Sequence, residues 1–247
     1  MTFCIVLDLE TTGLDPAKDA VVEVAAVPLV FSDDKVGGTG DWFVLPGATS
    51  LVAPGRRVPP EARAVHHLSD AELRGAPQLP QALALVLSKV DQRGELCEAL
   101  VAHNSPFDRG FIGQYFPSNI PWLDTWRLAM HIYPGAPSFG NQTLRYHLGL
   151  NVDAARDTNG DAYPPHRALY DATVTAYILQ RMLETHTVAE LLELQDRPAL
   201  QRTCRFGKHR GTAWSDVPRD YLKWVVTQDN PPFEGDVLHT CRFWLGY

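Results

Sequence analysis

The chain has 247 residues, of which 45 % are hydrophobic and 21 % charged, as is typical of a globular protein with one large or two small domains. Its net charge of −7 excludes the overall basic charge of a non-specific nucleic-acid coat, although a local basic patch or a metal-neutralised site remains compatible with it. No apolar run reaches the roughly 20 residues of a membrane span, and the four cysteines include no Cys-x-x-Cys pair. We therefore expect a reduced, cytoplasmic protein with no membrane contact.

The first apolar run, residues 3–7, predicts a strand that is covered on both faces, and two carboxylates follow it. Asp8 and Glu10 are two residues apart, so on a strand they lie on the same face. Neighbouring like charges are unfavourable unless a cation joins them, so the pair indicates either a divalent-metal site or a solvated strand end. The chain then turns at Thr11-Thr12-Gly13, where Gly13 permits the close approach of a ligand.

The next segments predict further strands and helices around this first strand. Strands are predicted over residues 21–30 and, with an interruption near Pro46-Gly47, over 42–45 and 50–53; helices are predicted over 60–66, 69–73 and 79–90. Glu23 lies within the second strand, where its side chain either faces solvent or supports the site, and we expect it to face solvent. The first of these helices ends at His66, which the sequence alone leaves ambiguous between a site residue and an inert surface histidine.

A second polar group follows a strand that ends at residues 100–102. Asn104 is a good N-cap and Pro106 suits a first helical turn, so a helix is predicted to begin here. Asp108 then lies in the first turn, near the positive end of the helix dipole, where an aspartate is often purely structural. A short fifth strand is predicted over residues 122–125, and a further helix over 141–150.

Residues 151–165 are rich in Asp, Asn, Gly and Pro, and they predict an exposed, mobile loop. The loop ends at His166, and a strong helix is predicted over residues 168–183, with Asp171 in its early part. The histidine is then free to move while the aspartate is fixed. The alternative is a surface histidine and a helix-stabilising aspartate.

Taken together, the four carboxylates and the histidine indicate one site. Asp8, Glu10, Asp108 and Asp171 come from a central strand and two helix starts, which can converge on one crevice in an α/β fold. Hard oxygen ligands suit Mg²⁺ or Mn²⁺, and two such ions can clamp the attacking and leaving oxygens of a phosphodiester displacement. His166 is the candidate general base for the attacking water, because histidine titrates near neutral pH.

Three motifs follow one another in the chain: Asp8-x-Glu10-Thr11-Thr12-Gly13, His103-Asn104-x-x-Phe107-Asp108, and His166 with Asp171 five residues on. In this order, over roughly residues 1–185, they resemble the DnaQ-like DEDDh 3′→5′ exonuclease family. The resemblance implies an α/β fold with an RNase H-like mixed five-stranded sheet flanked by helices. It also implies that the four carboxylates hold two divalent metals, Mg²⁺ or Mn²⁺, and that His166 is the base.

The resemblance further implies a pocket for the terminal nucleotide and stepwise release of 5′-mononucleotides from a free 3′ end. The residues that match its lining positions are Thr11, Gly13, Leu14, Val65, His66, Asn104 and Phe107.

The tail after residue 185 predicts a linker with a short helix over residues 186–200 and a small C-terminal module over 201–247. In the module, basic residues alternate with Phe206, Trp214, Tyr221 and Trp224, a pattern that resembles the C-terminal module of the exodeoxyribonuclease X subgroup. We expect the tryptophans to form the core of the module, and the basic turn to contact nucleic acid or a partner.

The function predicted is therefore a two-metal 3′→5′ exonuclease acting on DNA, with DNA repair as its expected role. An RNA 3′-end trimming exoribonuclease is the alternative enzyme, because the sequence does not show how the pocket treats a 2′-hydroxyl group. A proofreading subunit is disfavoured by the lack of a recognisable polymerase-tethering segment. A non-catalytic nucleic-acid-binding protein is disfavoured by the intact carboxylate and histidine set. No pattern in the sequence indicates a dimer interface, so the oligomeric state stays open.

Overall fold

The computed structural model describes residues 2–33, 40–92, 95–152, 164–228, 233 and 235–247. The strands are β1 Thr2–Thr11, β2 Val21–Ser32, β3 Asp41–Val44, β4 Ala48–Leu51, β5 Leu96–Ala102 and β6 Trp122–Asp124. The α-helices are α1 Pro60–His66, α2 Leu79–Val90, α3 Ser105–Ile112, α4 Thr125–Ile132, α5 Asn141–His147, α6 Ala168–Leu183, α7 Val188–Gln195, α8 Arg219–Val226 and α9 Gly235–Leu245. Within these described ranges, no helix has the length and hydrophobicity needed to cross a membrane.

The strands form one mixed sheet in the order β3-β2-β1-β5-β6, with β4 also paired to β2. β1 runs antiparallel to β2 and parallel to β5, and β5 runs parallel to β6. β3 and β4 lie end to end beside β2, separated by Pro46, which has no backbone N–H to donate to a ladder. The predicted mixed sheet is confirmed, with its third strand divided so that six strands occupy five positions.

The central strand β1 separates two hydrophobic cores, because its side chains alternate between the two faces of the sheet. Cys4 and Val6 belong to the core that includes α6, whereas Phe3, Ile5 and Leu7 belong to the core that includes α2. The even-numbered positions of β1 therefore face α6. Asp8 and Glu10 continue this even-numbered series at the end of the strand.

Two of the predicted local structures differ from the structure observed. Residues 70–75 form a turn rather than the predicted helix, although Ser69 and Glu72 make the expected hydrogen bonds, and Gly75 has a left-handed φ of 83°. The helix predicted over residues 141–150 ends at His147. Most of the predicted mobile loop, residues 153–163, lies outside the described residues.

The C-terminal segment has a hydrophobic core of its own, made by Cys204, Trp214, Val217, Leu222, Val225, Val237, Cys241 and Leu245. The prediction that Trp214 is a core residue is confirmed. The same prediction for Trp224 is wrong, since its side chain is 47 % exposed. The reason is helical geometry: α8 turns Leu222 and Val225 inward, and Trp224 lies on a different side of the helix.

A partly buried ion pair fixes this C-terminal segment to α4. The guanidinium group of Arg127 donates to both carboxylate oxygens of Asp236 on α9, and also to the carbonyls of Gln195 at 3.1 Å and Arg197 at 2.8 Å. The backbone N–H of Ala199 donates to Asp236 at 2.9 Å. Burial alone would raise the pKa of Asp236, but the hydrogen bonds from Arg127 and Ala199 hold it below its ordinary value.

The Asp236→Asn variant should lower the thermal unfolding temperature near neutral pH by a few degrees, because the guanidinium group of Arg127 loses its counter-charge. The folded pKa of Asp236 is below the ordinary 3.8, so its carboxylate stabilises the fold above about that pH and loses this effect as pH falls through the folded pKa. The difference between wild type and variant should therefore shrink toward about pH 3 in calorimetric scans. The exposed Asp216→Asn is the control, and a difference that stays constant with pH would contradict the assignment.

Candidate active site

The end of β1 and the first turn of α6 bring three carboxylates together. Asp8, Glu10 and Asp171 each offer an oxygen, and these oxygens all lie within 4.8 Å of one another. Asp8 and Glu10 reach this position because they share the face of β1 that packs on α6, and Asp171 because it lies in the first turn of that helix. The structure thus brings together three of the four predicted ligands.

The fourth predicted ligand, Asp108, approaches from α3 and is buried. Burial raises the pKa of Asp108 well above its ordinary range, and a hydrogen bond with the backbone of Leu9 opposes this rise. The contact with Leu9 places Asp108 beside β1, between the positions of Asp8 and Glu10. Its charge in turn raises the pKa of both of those residues.

Crowding of like charges dominates the electrostatics of this site. Loss of hydration, then the charges of Asp171, Asp108 and Glu10, raise the pKa of Asp8 well above its ordinary value. The pKa of Glu10 is raised to about 8, first by burial and then by neighbouring carboxylates, while Arg167 lowers it. Four carboxylates can ionise together here only if cations neutralise them. This set of hard oxygen donors fits divalent cations such as Mg²⁺ and Mn²⁺.

His166 lies at the edge of the same cleft. Its φ of 63° is left-handed, and this conformation turns its backbone N–H toward Asp171, to which it donates at 2.9 Å. The imidazole Nδ1 is 4.0 Å from the same carboxylate oxygen, and the side chain is 59 % exposed. The ring therefore borders a cleft of about 350 Å³, lined also by Asp8 and Gln142, while remaining accessible to water.

Two residues of α5 hold Asp171 in place, and no motif in the sequence indicated them. The amide of Gln142 donates to the Asp171 carboxylate at 3.0 Å. The amide of Asn141 donates to the Asp171 carbonyl at 3.2 Å and to the hydroxyl of Thr175 at 2.8 Å. A polar pair in the first turn of a predicted helix was the one available signal, and it is too common to be specific.

The expectation that Glu23 faces solvent is wrong, since its side chain is 1 % exposed. Arg167 donates to it in a bidentate arrangement, from Nε at 3.0 Å and from Nη2 at 2.8 Å, and the backbone N–H of Ala168 donates at 3.1 Å. Glu23 is the cross-strand neighbour of Glu10. It therefore fixes the residue next to His166 and the start of α6 against the sheet.

The floor of the cleft is a hydrogen-bonded set from three elements. Asn104 occupies the predicted N-cap position of α3, but its side chain makes no capping bond, and its backbone N–H donates to Asp124 at 3.0 Å. Burial lowers the pKa of His103 to about 4, so its ring is neutral. Its Nε2 donates to the Phe139 carbonyl at 2.8 Å, and Nδ1 accepts from the hydroxyl of Thr125 at 2.9 Å.

The residues predicted to line the nucleotide pocket differ in their exposure. Leu14 is 84 % exposed and Val65 is 47 % exposed, whereas His66 is buried with its ring facing the backbone of Thr11. A Cβ at Gly13 would lie 2.4 Å from the carboxylate of Asp19, so a larger residue here would require the Asp19 side chain to shift.

Two further predicted lining residues belong to the start of α3. Phe107 precedes Asp108 and packs on Phe111 with ring centroids 5.2 Å apart, and Asn104 lies one residue before the helix. Phe107 is half-buried, whereas Asn104 is exposed.

Comparison with known proteins agrees with this geometry. A family model described as Exonuclease (RNase_T) matches residues 5–179. The chain is 31 % identical over 229 residues to Exodeoxyribonuclease 10 of Escherichia coli strain K12, covering 89 % of each chain. The chain belongs to the DnaQ-like DEDDh exonuclease family. It is a 3′→5′ exonuclease, and the predicted resemblance to this family and to exodeoxyribonuclease X within it is confirmed.

Two solved structures support the fold of this exonuclease. Exonuclease X in complex with 5′ overhanging duplex DNA is 28 % identical with a TM-score of 0.57, covering 79 % of this chain and 99 % of that one. The nuclease domain of 3′hExo, a DEDDh family member bound to rAMP, has a TM-score of 0.55 at 17 % identity, covering 74 % of this chain and 92 % of that one.

The Asp8→Asn variant should stabilise the metal-free exonuclease at high pH. Because folding raises the pKa of Glu10 from 4.5 to about 8, the folded protein binds more protons than the unfolded chain, and metal-free stability should fall as pH rises through this range. Removing the Asp8 charge relieves this repulsion, so the variant should unfold at a higher temperature than wild type in chelator at about pH 8. Added Mn²⁺ should raise the unfolding temperature of wild type far more than that of the variant.

Differential scanning fluorimetry with and without Mn²⁺ measures both effects. The matched control is Asp196→Asn, which removes an exposed carboxylate outside the lining of the cleft and should respond to Mn²⁺ as wild type does. Equal stabilisation of Asp8→Asn and wild type by Mn²⁺ would remove Asp8 from the metal-ligand assignment.

The Glu23→Gln variant should destabilise the fold by about 1–3 kcal/mol, because the guanidinium group of Arg167 loses its bidentate carboxylate partner. Its kcat should fall as well, since the residue beside His166 is no longer fixed to the sheet. Urea unfolding and single-turnover rates measure the two effects. The double variant Glu23→Gln/Arg167→Gln should lose less stability than the sum of the single variants, and simple additivity would argue against the pair.

Proposed function

We propose that this exonuclease removes 5′-mononucleotides from the 3′ ends of DNA with the help of two Mg²⁺ or Mn²⁺ ions. The observation that carries the proposal is the convergence of Asp8, Glu10 and Asp171, with Asp108 beside them, at one cleft bordered by His166. These four carboxylates would hold the cations. When bound, the cations supply Lewis-acid stabilisation of the phosphodiester and a water of lowered pKa.

The chain's own residues then position the nucleophile and move its proton. His166 would take the proton from the attacking water, and its exposure allows that proton to pass on to solvent. Asp171 orients the segment that carries His166 through the backbone hydrogen bond, and Gln142 in turn orients Asp171. The Glu23–Arg167 pair keeps this segment against the sheet.

The terminal nucleotide would lie between two apolar walls. On one side, Leu14 and Val65 offer exposed aliphatic surface to the base. On the other side lie Asn104 and Phe107, next to the carboxylate of Asp108. Thr11, Gly13 and His66 complete the proposed pocket; the Thr11 hydroxyl donates to the Gly13 carbonyl at 2.6 Å, and the ring of His66 faces the Thr11 backbone.

DNA is the favoured substrate because the relative with 31 % identity is named an exodeoxyribonuclease and the structure with 28 % identity holds duplex DNA. RNA 3′-end trimming is the second candidate, since the neighbouring structure of 3′hExo holds rAMP. We infer DNA repair in the cytoplasm as the setting.

We also infer three parts of the chain: an exonuclease domain over residues 1–185, a linker with α7 over 186–200, and a C-terminal module over 201–247. The separate core of the last segment supports this division. Val188 and Leu191 of α7 pack into the core of the exonuclease domain, so the linker helix is attached to that domain.

A gel assay tests the proposed function. Single-stranded DNA and RNA of the same sequence, labelled at the 5′ end, should be incubated with Mg²⁺, with Mn²⁺ and with chelator. We expect a ladder that shortens from the 3′ end of DNA, is lost with chelator, and falls by at least about a thousandfold in rate for Asp8→Ala. Asp196→Ala is the control and should retain the wild-type rate.

Each other outcome selects a different function. A ladder on RNA alone would favour the second candidate. Binding of both nucleic acids without a ladder, with Mg²⁺ or Mn²⁺ present, would mean that the carboxylate group does not catalyse hydrolysis.

A further inference from the structure

A crevice of about 290 Å³ lies between α4 and the segment that joins the exonuclease domain to the C-terminal module. It is lined by Trp126, Met130, Leu200, Arg205, residues 137–140 and residues 201–203. Gly140 lines both this crevice and the cleft that holds Asp8 and His166, so the two are adjacent. We call it the Arg205 crevice.

The charge of the Arg205 crevice is positive. Of the described residues that line it, the charged ones are Arg202 and Arg205, and none is a carboxylate. A cavity of about 530 Å³ elsewhere on the sheet edge is lined instead by Asp41, Glu98 and Glu184, whose charges disfavour a phosphate. The Arg205 crevice is therefore suited to a polyanion.

Aromatic rings support both arginines. The guanidinium carbon of Arg202 lies 4.9 Å from the ring centroid of Phe139, and this arginine also donates to the Pro134 carbonyl. The guanidinium carbon of Arg205 lies 5.8 Å from the ring centroid of Trp126. Arg205 is exposed and makes no ion pair within the described part of the chain, so its N–H donors can bind an anion while its face stays on the ring.

The elements that carry the crevice are fixed to the active site. The Phe139 carbonyl accepts from His103 on the cleft floor, and the Trp126 backbone N–H donates to Asp124 at 3.0 Å. The Arg127–Asp236 pair attaches the C-terminal segment to the same helix. An anion in the crevice would thus be held at a set distance from the carboxylates.

We propose that the Arg205 crevice holds the single strand leading to the reacting 3′ end, and that Arg205 binds a phosphate of that strand. This rests on the proposed function, because the strand enters from the active-site cleft. Arg205 is then a positioning residue for long substrates, since a dinucleotide would lie in the cleft without reaching the crevice.

The test compares wild type, Arg205→Glu and Arg210→Glu on two substrates, a dinucleotide and a single-stranded oligonucleotide of about 12 nucleotides. Arg210→Glu makes the same change of net charge in the same exposed turn but lies outside the lining of the crevice. We expect the KM of Arg205→Glu for the oligonucleotide to rise on the order of tenfold, with a weaker dependence on salt, because one phosphate contact is lost. Its kcat and KM for the dinucleotide should stay at wild-type values.

The other outcomes separate the two proposals. Wild-type kinetics of Arg205→Glu on the oligonucleotide would overturn the crevice assignment and leave the exonuclease intact, as expected if the crevice instead holds a protein partner. Equal weakening by Arg205→Glu and Arg210→Glu would also overturn it, since the effect would then be one of overall charge. Failure of wild type to hydrolyse either substrate would overturn the proposed function itself.

Discussion

Mutual repulsion among four carboxylates at the end of β1 is the constraint on which the rest of the structure depends. Burial raises the pKa of all four carboxylates, and the charges of Asp171 and Asp108 further raise the pKa of Asp8 and Glu10. A fold that holds such a group needs rigid support on every side, because the charges would otherwise move apart into water. The two hydrophobic cores that pack on opposite faces of β1 supply this rigidity.

The support around Asp171 shows how this repulsion is accommodated. Its carboxylate accepts hydrogen bonds from the His166 backbone and from Gln142, and both hold its pKa lower than burial alone would. Arg167 lowers the pKa of Glu10 while it forms a bidentate pair with Glu23. Arg167 therefore lowers the pKa of Glu10 and also holds the segment that carries His166. The stability of the fold and the position of the base consequently depend on the same contacts.

Alternation along β1 was readable from the sequence, and it was enough to place Asp8 and Glu10 on one face. The burial of Glu23 could not be predicted from the sequence, because it depends on Arg167, which lies 144 residues away in the chain. Gln142 was missed for the same reason, since its partner Asp171 belongs to another helix. Trp224 was misassigned because composition shows that a small module has aromatic residues but not which of them its helices turn inward.

Helix α4 connects the two halves of the molecule. At its first turn, Asp124 accepts from the backbone of Trp126 and Arg127 and also from Asn104 on the cleft floor. The same turn presents the Trp126 ring to Arg205 and the Arg127 guanidinium to Asp236. A single turn of helix thus fixes the position of the C-terminal segment relative to the cleft. A basic side chain on that segment is consequently held in a fixed relation to the carboxylates, although nearly 200 residues separate Arg205 from Asp8 in the chain.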